Sequence, residues 1–161
     1  MKIAVYCAAA LMWLQISSLH ANEFLDGRDK NSVQAVQSLQ AYAKYKMAQY
    51  DEARKIWLDL ASKGNSSAFI NLANLYEQGQ GVERDLTQAF YWLQKAADSN
   101  DVRGLFQLAM AYEKGAGVER NLPQASYWLE QAAQQGDETA QFNLGVMLMT
   151  NYGKGLDTGS H

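Results

Sequence analysis

Residues 68–103 and 104–139 are one segment written twice. Superposed at an offset of 36 positions, they agree at about half of them, including Leu72/Leu108, Ala73/Ala109, Tyr76/Tyr112, Gly79/Gly115, Gly81/Gly117, Ala89/Ala125, Tyr91/Tyr127, Trp92/Trp128 and Ala97/Ala133. A fixed period between roughly 20 and 50 residues specifies stacked supersecondary units, none of which buries its apolar face alone. Such a stack presents an extended surface, which directs the functional question towards binding.

Each copy reads as helix, loop, helix. From Ser67 to Gln78, apolar residues at Phe69, Leu72, Ala73, Leu75 and Tyr76 follow a helical stripe. Gly79 and Gly81 interrupt it, because glycine tolerates the left-handed backbone that closes a helix. Asp85 with Gln88, and Asn121 with Gln124, are spaced as capping boxes for the second helices. Pro123 is expected in a first helical turn, where its missing N–H does no harm. Asn65, Asp101 and Asp137 recur at the period and are placed to cap the first helices. Ala73, Ala109 and Gly145, like Ala53, Ala89 and Ala125, keep one position small so that paired helices approach closely. Tyr76, Trp92, Tyr112 and Trp128 are read as filling between layers.

This pattern resembles the Sel-one-like repeat (SLR) family, a branch of the tetratricopeptide (TPR) superfamily. The resemblance rests on Ala68, Leu72-Ala73, Tyr76, Gly79-Gln80-Gly81-Val82, Asp85, Ala89, Trp92 and Ala96-Ala97, with the copy one period later. It implies an all-α, right-handed α-solenoid of stacked antiparallel helix pairs, doing adaptor or scaffold work. Upstream, Ala41 to Ala53 is similar to a plain TPR unit. The expected organisation is a signal peptide at 1–21, a flexible leader at 22–32, a TPR-like repeat at 33–65 and SLR units at 66–101 and 102–137. A partial third unit with a tail follows at 138–161. There Leu148 replaces the tyrosine, the glycines shift to Gly153 and Gly155, and the first helix is expected to end near Met149.

The chain opens on Met1-Lys2 and runs almost without charge to Ile16, ending on small residues at Ala21. That is the composition of a secretory signal, too short for a span of about 20 apolar residues. Export to the periplasm or medium is expected, with a mature start near Asn22. The one cysteine, Cys7, falls inside this segment, so no disulfide is expected in the mature chain. Cysteine-rich secreted relatives labelled β-lactamase-like differ in that respect. A net charge of −3 argues against a nucleic-acid surface, which would be basic.

Catalytic groups are sparse. The two histidines are His20, in the expected signal, and His161, the last residue. Nucleophile–base pairs and histidine metal sites therefore lack their components. Gly79-Gln80-Gly81 and Gly115-Ala116-Gly117 lack the lysine and preceding strand of a phosphate loop. The expectation is no enzyme, no cofactor, no metal and no small-molecule substrate. Glu83-Arg84 and Glu119-Arg120 read as solvated loops. Asn65-Ser66-Ser67 is formally a glycosylation acceptor but coincides with a helix start.

In TPR-like stacks the first helices line a groove. Ile70, Asn74 and Glu77 share one face of such a helix at spacings of four and three. Their equivalents are Phe106, Met110 and Glu113, then Phe142, Val146 and Met149, and, in the N-terminal unit, Ser38, Tyr42 and Tyr45. These positions vary in identity while staying largely apolar or aromatic, which suits a groove for a peptide or helix of a partner protein. A periplasmic immunity or inhibitor protein would use the same groove. The apolar run from Phe142 to Met149 adds an expected association surface, for a partner or a second copy.

Overall fold

The computed structural model describes residues 30–157, with side chains described as far as Thr150. The expected signal at 1–21 and most of the leader at 22–32 lie outside the described residues. The chain forms two compact units, 1–40 and 41–161. The described part of the first is helical from residue 30, so helix starts within the stretch expected as leader. This stretch belongs to α1, described over 30–46. The second unit holds the rest of α1 and then α2 (Tyr50–Ser62), α3 (Ser66–Gln78), α4 (Leu86–Asp98), α5 (Val102–Lys114), α6 (Leu122–Gln134) and α7 (Glu138–Asp157). From α2 to α7 each helix packs on the next, and α3 also touches α5. The fold is the all-α solenoid of antiparallel pairs.

Two core clusters follow from the repeat. Trp57, Leu60, Phe69, Leu72 and Leu75 anchor one; Leu105, Leu108, Leu129 and Met147 anchor the other. Burying a leucine contributes about 1.5–3 kcal/mol, so these positions dominate stability. At Trp92 and Tyr112 the expected aromatic filling is present: Phe69 stacks on Trp92 with centroids 6.0 Å apart, and Phe90 meets Tyr112 edge-on at 5.2 Å. Small residues set the approach of α4 and α5. A β-carbon on Gly104 would come within 2.6 Å of that of Ala96.

The helix ends obey local chemistry. Asn65 accepts from the Ala68 amide, Asp101 from Arg103 and Gly104, and Asp137 from Ala140. Asp85 caps Thr87 and Gln88, and Asn121 caps Gln124. The reciprocal half of the expected capping box has no free donor. The Asp85 amide already donates to Tyr76 O, and the Asn121 amide to Tyr112 O, closing each loop onto its first helix. Gly79 and Gly115 end α3 and α5 in the left-handed conformation, at φ 68° and 72°.

α7 departs from expectation. It continues past Met149 to Asp157, through Gly153 and Gly155. In α3 and α5 the closing glycine stands at 79 and 115; the equivalent residue of α7 is Asn151. Glycines inside a helix weaken it by about 1 kcal/mol each without forbidding it.

Candidate functional site

The first helices and the second helices before them enclose two hollows in the second unit. The first, about 240 Å³, is walled by Leu86, Ala89, Phe90 and Leu93 of α4 and by Phe106, Gln107, Met110 and Lys114 of α5, with Glu77 of α3 at its edge. The second, about 190 Å³, is walled by Leu122 and Leu129 of α6 and by Asn143, Val146, Met147 and Thr150 of α7, with Glu113 and Arg120. Glu77/Glu113, Leu86/Leu122, Leu93/Leu129, Gln107/Asn143, Met110/Val146 and Lys114/Thr150 are equivalent positions. One hollow therefore recurs at the repeat period. Phe90 and Phe106 line the first hollow and no aromatic residue lines the second, so the first copy is the more aromatic, and it is also the larger.

Of the expected groove residues, Glu77, Phe106 and Met110 meet in the first hollow, and Glu113 and Val146 in the second. Asn74 is half-buried and lines neither. Ile70 is a correction: it is 5% exposed and belongs to the core cluster of Trp57 and Leu72. Its equivalent Phe106 is half-buried, and Phe142 is 71% exposed. The position is thus buried in α3, half-buried in α5 and exposed in α7. Tyr42 is exposed, and its ring stacks on Tyr45 at 6.4 Å. Tyr45 turns inward, edge-on to Tyr50 at 5.5 Å and tilted against Trp57 at 5.7 Å. Phe142 and Met149 line neither hollow and face water on α7. Ser38 lies in the first unit and is half-buried.

Phe90, Leu93, Gln107 and Lys114 were not anticipated. A reading confined to one face of the first helices excludes Phe90 and Leu93, which come from a second helix. The shared carboxamide at Gln107 and Asn143 was visible in the register. The Gln107 Oε1 is buried without a hydrogen-bond partner among the described residues, which marks this wall as polar inside an apolar hollow.

The loop arginines act within the fold. Arg84 Nε donates to Glu77 O and Arg120 Nε to Glu113 O, each at 2.9 Å, satisfying carbonyls at the C-terminal ends of α3 and α5. Two carboxylates titrate away from their ordinary range. Burial raises Asp101, but hydrogen bonds from Ser66, Arg103 and the Gly104 amide, with the Arg103 charge, outweigh it and leave it below the usual value. The 2.7 Å contact from Lys44 lowers Glu52. Both shifts come from structural pairing. Among the described residues no three His, Cys, Asp or Glu side chains gather as a metal site, and no helix is long and apolar enough to cross a membrane.

A family description, Sel1 repeat, matches residues 66–101, 102–137 and 139–158. That covers more than half of the chain, which belongs to the Sel1 repeat family, a family of protein-interaction modules. Among solved structures, the chain is similar to a Sel1 repeat protein from Oxalobacter formigenes, at 29% identity and TM-score 0.66, over 71% of this chain and 47% of that one. It is also similar to c5321, a protective antigen of uropathogenic Escherichia coli with an SLR fold, at 29% identity and TM-score 0.67, over 74% of this chain and 26% of that one. A third likeness is to cysteine rich protein B of Helicobacter pylori, at 28% identity and TM-score 0.57, over 58% of this chain and 71% of that one. The chain thus spans about half and a quarter of the length of the first two. No curated protein matches the sequence.

Proposed function

We propose that this protein is an exported, non-enzymatic adaptor that holds a peptide or helix of a partner protein along its first helices. The observation that carries this is the recurrence of one hollow at the repeat register. Two equivalent seats in one groove suit a single elongated occupant with apolar side chains placed in turn. Each hollow, at about 240 and 190 Å³, is smaller than the roughly 300–1,000 Å³ usual for a whole small-molecule ligand. Side-chain anchors therefore fit better than a metabolite. Export rests on the Met1–Ala21 pattern, and N-terminal sequencing of the mature protein should begin near Asn22.

Phe106 and Met110 both pack against the second core cluster, so a charge introduced there is read only in a variant whose melting matches that of the parent. Met110→Asp combined with Val146→Asp places a charge in each hollow. This variant should lose a partner recovered from envelope extract by the parent protein. Anchors of this kind contribute on the order of 1–3 kcal/mol each. Retained capture by a folded double variant removes the groove reading. If the recovered partner is a toxin, the adaptor becomes an immunity protein. Hydrolysis of a chromogenic β-lactam by the purified chain would reverse the non-enzymatic reading.

A further inference from the structure

The first helices carry a carboxamide at one repeat position: Asn71 on α3, Gln107 on α5 and Asn143 on α7. Neighbouring positions drift, from Ile70 to Phe106 and from Asn74 through Met110 to Val146, while this one keeps its chemistry. All three residues are half-buried. Gln107 lines the first hollow and Asn143 the second. Gln107 Oε1 is fully buried, in a wall shared with Phe90, Phe106 and Met110, and has no hydrogen-bond partner among the described residues. Among the same residues no hydrogen bond engages the Asn71 side chain. α3 and α5 each have helices packed before and after them, so these two amides lie inside the stack and not at its end.

A buried amide oxygen left unbonded costs stability, and an apolar side chain of similar size avoids that cost. Packing alone would therefore place methionine or leucine at this position. A carboxamide is donor and acceptor in one plane, and its two ends interchange by a half-turn of the last side-chain bond. It is the complement of a peptide group. A helical occupant has its main-chain groups bonded internally and offers the wall only side chains. An extended chain leaves N–H and C=O free. The spacing also suits an extended chain. α3 touches α5, and packed helices lie about 8–10 Å apart. Roughly three residues of extended chain, at about 3.1–3.3 Å each, span that distance.

We infer that the groove takes an extended segment of a partner protein and holds it by its main chain. One peptide group bonds Gln107 while the side chain beside it fills the first hollow. A second peptide group, about three residues along, bonds Asn71. Asn143 offers the same contact at the second hollow. The inference rests on the groove reading and sharpens it, choosing an extended chain over a helix. Main-chain bonds then supply affinity whatever the sequence, and the hollows select the apolar side chains.

The probes are two synthetic libraries selected on the purified protein: random linear peptides, and random peptides locked as helices by side-chain cross-links. A linear binder should emerge and should lose affinity in a Met110→Asp variant that melts with the parent. Gln107→Met and Asn71→Leu should each weaken it about tenfold. Replacing its peptide links one at a time by esters removes the N–H and weakens the carbonyl acceptor. Two such replacements should cost a similar factor in the parent, and each cost should vanish in the variant that lacks the matching amide. Gln107→Met should melt at or above the parent, because it removes an unbonded buried amide. A lower melting temperature gives that amide a structural role and overturns the inference. A binder lost in Met110→Asp but indifferent to both amide substitutions and to every ester overturns it too, and leaves the groove reading standing. So does a selection in which only the cross-linked helices bind. A binder indifferent to Met110→Asp, or no binder from either library, removes the groove reading together with this one.

Discussion

The Ser66 hydroxyl donates a 2.7 Å hydrogen bond to the Asp101 carboxylate, tying the start of one repeat to the start of the next. Arg103 Nη2 reaches back to Ser67 Oγ at 3.0 Å, and Gln135 Nε2 to Asn100 Oδ1 at 2.8 Å. The helix starts along this side of the second unit are thus linked directly as well as through their cores. Asp101 also caps α5, so one carboxylate serves a helix and a repeat junction.

Acid should loosen this junction. The folded Asp101 titrates below its ordinary value of 3.8. Its stabilising contribution is therefore complete above that value and is lost as pH falls through the lower folded pKa. Asp101→Asn keeps a good helix cap but removes the charge. Its unfolding free energy should depend less on pH below about 4 than that of the parent, measured by urea titrations at several pH values. Ser66→Ala should cost about 1 kcal/mol at neutral pH. Identical acid profiles for the parent and Asp101→Asn would show that Asp101 is not the group responsible.

Glycine substitutions should act in opposite directions at two sites. A β-carbon on Gly117 would overlap the Leu86 carbonyl at the start of α4, and its φ of +75° is strained for any L side chain. Gly117→Ala should destabilise by about 2 kcal/mol or more, since the left-handed strain alone is roughly 1–2 kcal/mol. Gly145 lies inside helix α7 with open space around it. Gly145→Ala should stabilise α7 by up to about 1 kcal/mol. Thermal unfolding by circular dichroism reads both signs, and a stabilising Gly117→Ala would mean that loop does not rest on α4.

Ala48 stands in the left-handed region at φ 58° without the usual glycine. It is exposed and ends the turn between α1 and α2. Ala48→Gly relieves strain in the folded chain but loosens the unfolded one, so the net gain should be under about 1 kcal/mol. Chemical denaturation of parent and variant measures it, and a destabilised variant would show that the turn does not hold this backbone.

The fold was legible because the repeat prints its own alignment. Ala89 and Ala125, Leu72 and Leu108, and Asn65, Asp101 and Asp137 each took their places from register alone. The groove was legible only in part. Helical spacing put Ile70 and Phe142 on one face, but spacing cannot say what packs against that face. Ile70 belongs to the cluster of Trp57, Leu60 and Ala96 while Phe142 is exposed, so equivalent residues became core and surface. Phe90 and Leu93 were missed because their wall belongs to a different helix, a fact of packing between units. α7 outran its expected end because the closing position holds Asn151, and a later glycine does not by itself stop a helix.

The loop arginines separate a structural from a docking role. Arg84 Nε–H satisfies the Glu77 carbonyl from seven residues away, bracing the loop against the end of α3. Lysine carries the charge but cannot reproduce that planar N–H geometry. Arg84→Lys should therefore lower thermal stability by about as much as Arg84→Ala, on the order of 1 kcal/mol. A docking edge that needs only positive charge would behave differently: lysine would keep partner capture and alanine would lose it, with stability unchanged in both. Paired melting and capture measurements on the two variants distinguish these cases. Equal destabilisation with capture preserved at a temperature where both are folded is the outcome the geometry requires, because the guanidinium is already engaged by the backbone of its own repeat.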